Sequence, residues 1–181
     1  GDIRDFETLK TLCKGIDVIF HLAADPRLPL SIEDPIGTHE INVTGTLNVL
    51  EAARLAGVKK FIFTSSAAVY GDQEIMPISE DAKLMPMSPY GLHKMMGEYY
   101  TRLYHNLYGM HTVTLRYFNI FGPRKTTEGG YPMVIPIFIE QRKQGSQLTI
   151  VGDGEQTRDY VHVSDVVEAN IAAWKSDVKD G

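Results

Sequence analysis

Cysteine is nearly absent. Cys13 is the only one in 181 residues, so neither an internal disulfide nor a cysteine-based zinc site can form. Runs of Lys and Arg are missing as well, and with a formal net charge of -5 the chain lacks the electrostatic footprint for nucleic acid or an anionic membrane surface. No apolar run approaches the ~18 residues that span a bilayer. Residues 1–20 have no charged-then-apolar signal pattern. The six histidines show no metal-ligand spacing with carboxylates, so no metal is expected. These absences predict a cytoplasmic globular chain without a membrane or nucleic-acid partner. An initial Met is also lacking: the chain opens on Gly1-Asp2-Ile3-Arg4 and closes on Lys179-Asp180-Gly181, as an internal piece of something longer would.

What is present alternates between two periodicities. Ile16 to Phe20 and Lys60 to Thr64 are short apolar runs rich in β-branched and aromatic residues, which read as buried parallel strands. Between them Val43, Leu47, Leu50, Ala53 and Leu55 recur at helical spacing up to Gly57, a natural stop. A second helix is predicted from Pro89 to Tyr108, with Leu92, Met96, Tyr99, Leu103 and Leu107 on one face, and it leads into an alternating strand from His111 to Tyr117. A helix over Val134 to Lys143, a strand over Leu148 to Val151 and a last helix capped by Ser164 and running through Trp174 complete the expectation. Strand-helix alternation of this kind predicts an α/β fold with a parallel sheet and right-handed crossovers.

Tyr90 and Lys94 stand four residues apart near the start of the second helix, which places them on one face, a turn apart. An ammonium near a phenol favours the phenolate, so Tyr90 is a candidate base. The pair alone reads equally as an exposed Tyr and Lys on a helix surface. Its context adds Ser65 and Ser66 at the carboxyl end of a parallel strand, where open α/β sheets bind ligands, although hydroxyls there also serve simply to satisfy backbone groups. His21-Leu22-Ala23-Ala24 is a third strand end, with small residues that admit a flat ligand close to the backbone.

Seven ordered segments then resemble the extended short-chain dehydrogenase/reductases of the nucleotide-sugar 4-epimerase type. They are G-D-I-R-D (1–5), D-V-I-F-H-L-A-A (17–24), N-V-T-G-T (42–46), F-T-S-S-A-A-V-Y-G (63–71), S-P-Y-G-L-H-K (88–94), L-R-Y-F-N-I-F-G-P-R (115–124) and G-D-G-E-Q-T-R-D-Y-V-H-V-S-D-V (152–166). The resemblance implies a Rossmann-like doubly wound parallel sheet that lacks its first strands. Residues 1–120 would be a partial NAD-binding domain, 121–160 part of a smaller substrate-binding lobe, and 161–181 a return to the first domain.

It also implies roles. Asp2, Ile3, Leu22, Ala23, Ala24, Asn42, Thr64, Ser65, Tyr117 and Phe118 would line NAD, with Arg27 near the position of a pyrophosphate-side basic residue. Ser66, rather than Ser65, would bind the sugar hydroxyl, Tyr90 would be the base, and Lys94 would hold the nicotinamide ribose. Asn119 and Arg158 would meet the substrate diphosphate, a role suited to a guanidinium fork, and Pro132 to Phe138 would lie beside the uracil.

The implied reaction is NAD-dependent C4 epimerisation of a UDP-hexose through a 4-keto sugar, in a homodimer joined by the helices near 42–57 and 89–108. Ala67 and Ala68 stand where 4,6-dehydratases and decarboxylases carry an acid, which favours plain epimerisation. A dehydratase, and a catalytically incomplete fragment, remain the alternatives. None of the sixteen glycines forms the Gly-rich phosphate turn that opens such domains, so roughly 50–60 residues are expected to precede Gly1.

Overall fold

A computed structural model describes residues 1–123 and 133–178. Its centre is a three-stranded parallel sheet of β1 (Val18–His21), β2 (Lys60–Ser66) and β3 (His111–Tyr117), in that order. The register pairs His21 with Phe63, Ser65 with Arg116 and Ser66 with Tyr117. All three strands therefore end on one side.

Alternation along β2 decides what covers each face. Phe61 and Phe63 point to one side and pack with Val49, Leu50 and Ala53 of α4 (Gly45–Ala56) and Tyr104 of α5 (Pro89–Tyr108). Ile62 points to the other, where it meets Val113 and Ala173 of α7 (Val163–Lys175). Helices on both faces of a parallel sheet give the doubly wound arrangement. The first helix, α1 (Phe6–Leu12), packs on α4 and ends at Cys13, a buried free thiol. A second, two-stranded parallel sheet joins β4 (Asn119–Phe121) to β5 (Tyr160–His162), and α6 (Val134–Lys143) lies between them in the chain.

Several elements depart from the sequence expectation. The first strand is displaced to Val18–His21, and the second extends two residues to include both serines. The helix before Gly57 starts earlier, through α2 (Leu28–Glu33), α3 (Pro35–His39) and a π-helical turn over Glu40–Thr44 that runs directly into α4. No strand forms over Leu148 to Val151. No neighbouring strand among the described residues offers it a ladder, Thr149 is tied instead to the Gln141 side chain, and Ile150 and Val151 are exposed. The last helix begins at Val163, capped by His162, whose Nδ1 accepts the Ser164 amide hydrogen; Ser164 is already inside the helix.

Lys60 closes the architecture. Its buried ammonium donates to the carbonyls of Ala173, Trp174 and Ser176 at 2.9, 3.1 and 2.5 Å, and so satisfies the end of α7 from the first residue of β2.

Candidate active site

The carboxyl ends of β1 and β2 meet the amino end of α5, and each contact there has a sequence cause. Ser88 caps α5 by accepting from the Gly91 amide at 3.1 Å, while Ser31 of α2 accepts from the Tyr90 amide at 3.1 Å. Two donors of the first turn are thus satisfied. Glycines let the helix press on the strand. A Cβ on Gly91 would stand 2.6 Å from the Ala68 carbonyl oxygen, and one on Gly97 would stand 2.3 Å from the Phe63 ring.

That approach buries Lys94, which is 5% exposed, and its Nζ donates to the Thr64 carbonyl at 2.7 Å. Burial pulls the Lys94 pKa down to about 8, so the ammonium still predominates at neutral pH. Nζ lies 6.0 Å from the centre of the Tyr90 ring. Tyr90 is half-buried, with the Ser66 hydroxyl in reach of its phenol. Burial raises its pKa and the Ser66 bond lowers it. The expected lowering by Lys94 does not govern the phenol in this structure: desolvation dominates, and the hydroxyl of Ser66 is the group that opposes it. Ser66 is held in turn, since its Oγ accepts from the Ala68 amide at 3.2 Å.

The remaining predicted residues fall into distinct settings. Leu22 and Ala23 are exposed just past β1, one residue beyond the His21–Phe63 pair. Ala24 is half-buried there. Asn42 uses both ends of its amide on the loop that follows, accepting from the Asp25 amide at 2.7 Å and donating to the Asp25 carbonyl at 2.9 Å; its reach to a ligand is through that loop. Arg27 is paired with Asp25. Asp2 is exposed and paired with Arg4, which holds its carboxyl down at about 2. Ile3 turns its side chain toward Gly45 of α4, and its carbonyl accepts from Asn48.

Ser65 is buried, with its hydroxyl donating to Glu98 at 2.5 Å, so only its backbone faces the strand end. Thr64 donates to the Tyr117 hydroxyl at 3.4 Å, and Asn170 of α7 donates to the same oxygen at 2.5 Å. Phe118 follows directly, with its ring centre 6.3 Å from that of Tyr70. Asn119 donates to the Asp159 carbonyl at 2.9 Å, and the β4–β5 register pairs it with Tyr160, which brings it beside the segment carrying Arg158. Arg158 is exposed and donates to the Thr157 carbonyl and the Gln156 side chain. Of the Pro132 to Phe138 segment, Pro132 lies outside the described residues, as does Arg124.

The donor set here fits the nicotinamide riboside part of a dinucleotide. Lys94 carries three N–H donors and one is engaged by Thr64, which leaves two, 6.0 Å from the centre of the Tyr90 ring, for a ribose diol. Small residues at the end of β1 leave room for a flat ring. Among the described residues no group of three or more His, Cys, Asp or Glu side chains could hold a metal ion.

Two residues that the sequence reading passed over prove central to the arrangement. Glu98 lies on the Tyr90–Lys94 face of α5 and forms a two-point ion pair with Arg116 of β3, Nε to Oε1 at 2.9 Å and Nη2 to Oε2 at 2.7 Å. The four-residue spacing of Tyr90, Lys94 and Glu98 was the available signal.

Comparison with known proteins agrees with this geometry. The model of the NAD dependent epimerase/dehydratase family matches residues 1–181. A putative UDP-glucose 4-epimerase of Methanocaldococcus jannaschii is 41% identical over 182 residues, covering 98% of this chain and 59% of that protein. The structure of a UDP-N-acetylglucosamine 4-epimerase from Methanobrevibacter ruminantium M1, in complex with UDP-N-acetylmuramic acid, superposes with a TM-score of 0.95 at 39% identity, covering 99% of this chain and 57% of that one. A UDP-glucuronic acid 4-epimerase from Bacillus cereus, solved with UDP-glucuronic acid and NAD, gives 0.88 at 35%, covering 99% and 56%. A decarboxylase and a dTDP-glucose 4,6-dehydratase stand among the other matches. The chain spans between half and three fifths of the length of these relatives. With a parallel doubly wound sheet, a Tyr-Lys pair docked on a serine-bearing strand end, and a family match over its whole length, the chain belongs to the NAD-dependent epimerase/dehydratase family.

Proposed function

We propose that the protein of which this chain is part inverts C4 of a UDP-hexose, with Ser66, Tyr90 and Lys94 as its catalytic residues and NAD as its cofactor. The observation that carries the reading is the docking of α5 on the end of β2, which buries Lys94 against the Thr64 carbonyl with the Tyr90 ring 6.0 Å from its ammonium and Ser66 two residues further along the strand. Ser66 holds the sugar 4-hydroxyl. Tyr90 Oη takes the hydroxyl proton as the C4–H bond breaks and gives it back when the ketone is reduced on the opposite face. NAD would be held by Lys94 and the residues after β1, and when bound would supply the acceptor and donor for the C4 hydride. Lys94 fixes orientation, and its ammonium stabilises the phenolate as it forms. Asn119 and Arg158 are the candidates for the substrate diphosphate, a dianion suited to an amide and a guanidinium.

Epimerisation is favoured over dehydration by the short segment after Ser66. Ala67, Ala68 and Val69 form a single 3-10 turn with no proton-transferring side chain, whereas eliminating water from a keto sugar requires a second acid or base. The outward face of α5 supports self-association, with Tyr99, Leu103 and Leu107 exposed on it. We therefore read the intact protein as a homodimer through this face.

The test is conversion of UDP-galactose, UDP-N-acetylgalactosamine and UDP-galacturonic acid by the complete protein with NAD, followed by chromatography of the epimers. One of them is converted, and Tyr90→Phe lowers the rate by about 100-fold or more. Accumulation of a keto-deoxy sugar instead of an epimer would establish the dehydratase alternative, and an unaffected Tyr90→Phe would remove Tyr90 as base.

A further inference from the structure

Tyr90 and Ser66 sit on different elements, so the approach of their hydroxyls depends on how α5 is registered against β2. Two side chains of α5 set that register. Lys94 reaches the Thr64 carbonyl, and one turn later Glu98 takes the Ser65 hydroxyl, at 2.7 and 2.5 Å. Lys94 and Glu98 thus hold two consecutive residues of the strand end, Thr64 and Ser65, from the helical face that also carries Tyr90.

The Glu98 carboxylate is itself anchored by the Arg116 fork. Arg116 is the sheet neighbour of Ser65, and its free Nη1 donates to the Tyr70 hydroxyl and the Glu80 carbonyl, each at 2.8 Å. Its guanidinium also lies 4.9 Å from the Tyr70 ring centre. The pair therefore ties four segments together: α5, the end of β2, β3, and the chain from Tyr70 to Glu80 that leads back into the helix bearing Tyr90. Its side chains are mostly buried, 10% exposed for Glu98 and 23% for Arg116, so solvent does not readily substitute for either partner.

We propose that the Glu98–Arg116 pair is a positioning unit of the active site, which holds Ser66 against the Tyr90 hydroxyl without touching substrate or cofactor itself. The inference rests on the catalytic reading above for its consequence in turnover, but its geometric content does not. A merely structural ion pair would leave Tyr90 titrating as before in any variant that folds. A positioning pair would not, because weakening it releases Ser65, shifts Ser66, and removes the bond that favours the phenolate.

The experiment uses the complete protein with bound NAD, labelled with tyrosine carrying 13C at Cζ, the Tyr90 signal being assigned through Tyr90→Phe. Glu98→Gln preserves shape and leaves Arg116 without its counter-charge. The expected result is a Tyr90 midpoint moved to higher pH and, in turnover, kcat lowered by about 10–100-fold with KM for the UDP-sugar nearly unchanged. An unchanged Tyr90 midpoint in folded Glu98→Gln overturns the proposal. Should Glu98→Gln fail to fold, Ser65→Ala cuts the link while keeping the ion pair, and the same readings decide. The NMR titration needs no substrate, so a protein inactive on every UDP-sugar would refute the functional reading and still test the positioning unit.

Discussion

His21 shows how much a single buried side chain contributes to the behaviour of this site. Its ring is buried beneath the end of β1, beside Phe61 and Phe63, and its Nε2 lies 2.9 Å from the Thr46 hydroxyl. Thr46 has one proton and donates it to the Asn42 carbonyl at 2.7 Å, so His21 must donate through Nε2–H. Burial, and secondarily the Lys94 charge, hold its pKa down at about 3 against an ordinary 6.5. The unfolded chain binds the proton first. His21 therefore leaves stability intact above pH 6.5 and subtracts from it as pH falls from 6.5 toward 3, with a slope of up to about 1.4 kcal/mol per pH unit. Urea midpoints taken across that window should fall with acidification in the native chain and fall less in His21→Leu. Equal slopes in the two would show that other groups control acid unfolding. The same residue also links the base of the site to Asn42 and, through it, to the loop at Asp25.

At the scale of elements, the legibility of the sequence tracks local chemistry. The Pro89–Tyr108 helix is bounded as expected because Ser88 caps it and Gly109 adopts the left-handed conformation at its end. Its apolar stripe misleads, however. Leu92, Tyr99, Leu103 and Leu107 face outward, while the buried face is made of Gly91, His93, Lys94, Gly97, Thr101 and Tyr104. Periodicity locates a helix but cannot say which face meets the sheet when the buried face is selected for close approach and for chemistry. The strand expected at Leu148 to Val151 fails for a related reason: β propensity is realised only beside a partner strand. Tyr90 and Lys94 were legible because their spacing is local, and Ser66 because it directly follows an apolar strand run. Glu98 and Arg116 were not, because their pairing spans 18 residues and two elements.

Lys60 makes the same point from the energetic side. Replacing it with Met would keep the apolar stem and leave three carbonyls at the end of α7 without their donor. We expect a loss of about 1–3 kcal/mol, read as a lower melting temperature with the spectrum of the folded state retained. A Lys60→Met variant as stable as the native chain would mean that water satisfies those carbonyls equally well.

For the molecule as a whole, the outward stripe of α5 is the feature with the widest consequence. Leu107 is 63% exposed and Tyr99 58%, along a 20-residue helix. The homodimer proposed above rests on this stripe. Sedimentation of the complete protein at micromolar concentration should give a dimer, and Leu103→Glu with Leu107→Glu should shift it to monomer with the sheet intact. A native protein that sediments only as monomer would remove the homodimer reading. The family assignment was legible from seven short segments, each with chemistry of its own.

Cys13 has a practical use. It closes α1 against α4, it is buried, and burial raises its thiol pKa, so it is inert to alkylating reagents while that helix is docked. Being the only thiol in these 181 residues, it is a built-in clock: the rate at which a maleimide modifies the peptide carrying Cys13 reports how often the first helix lifts away, with no label introduced.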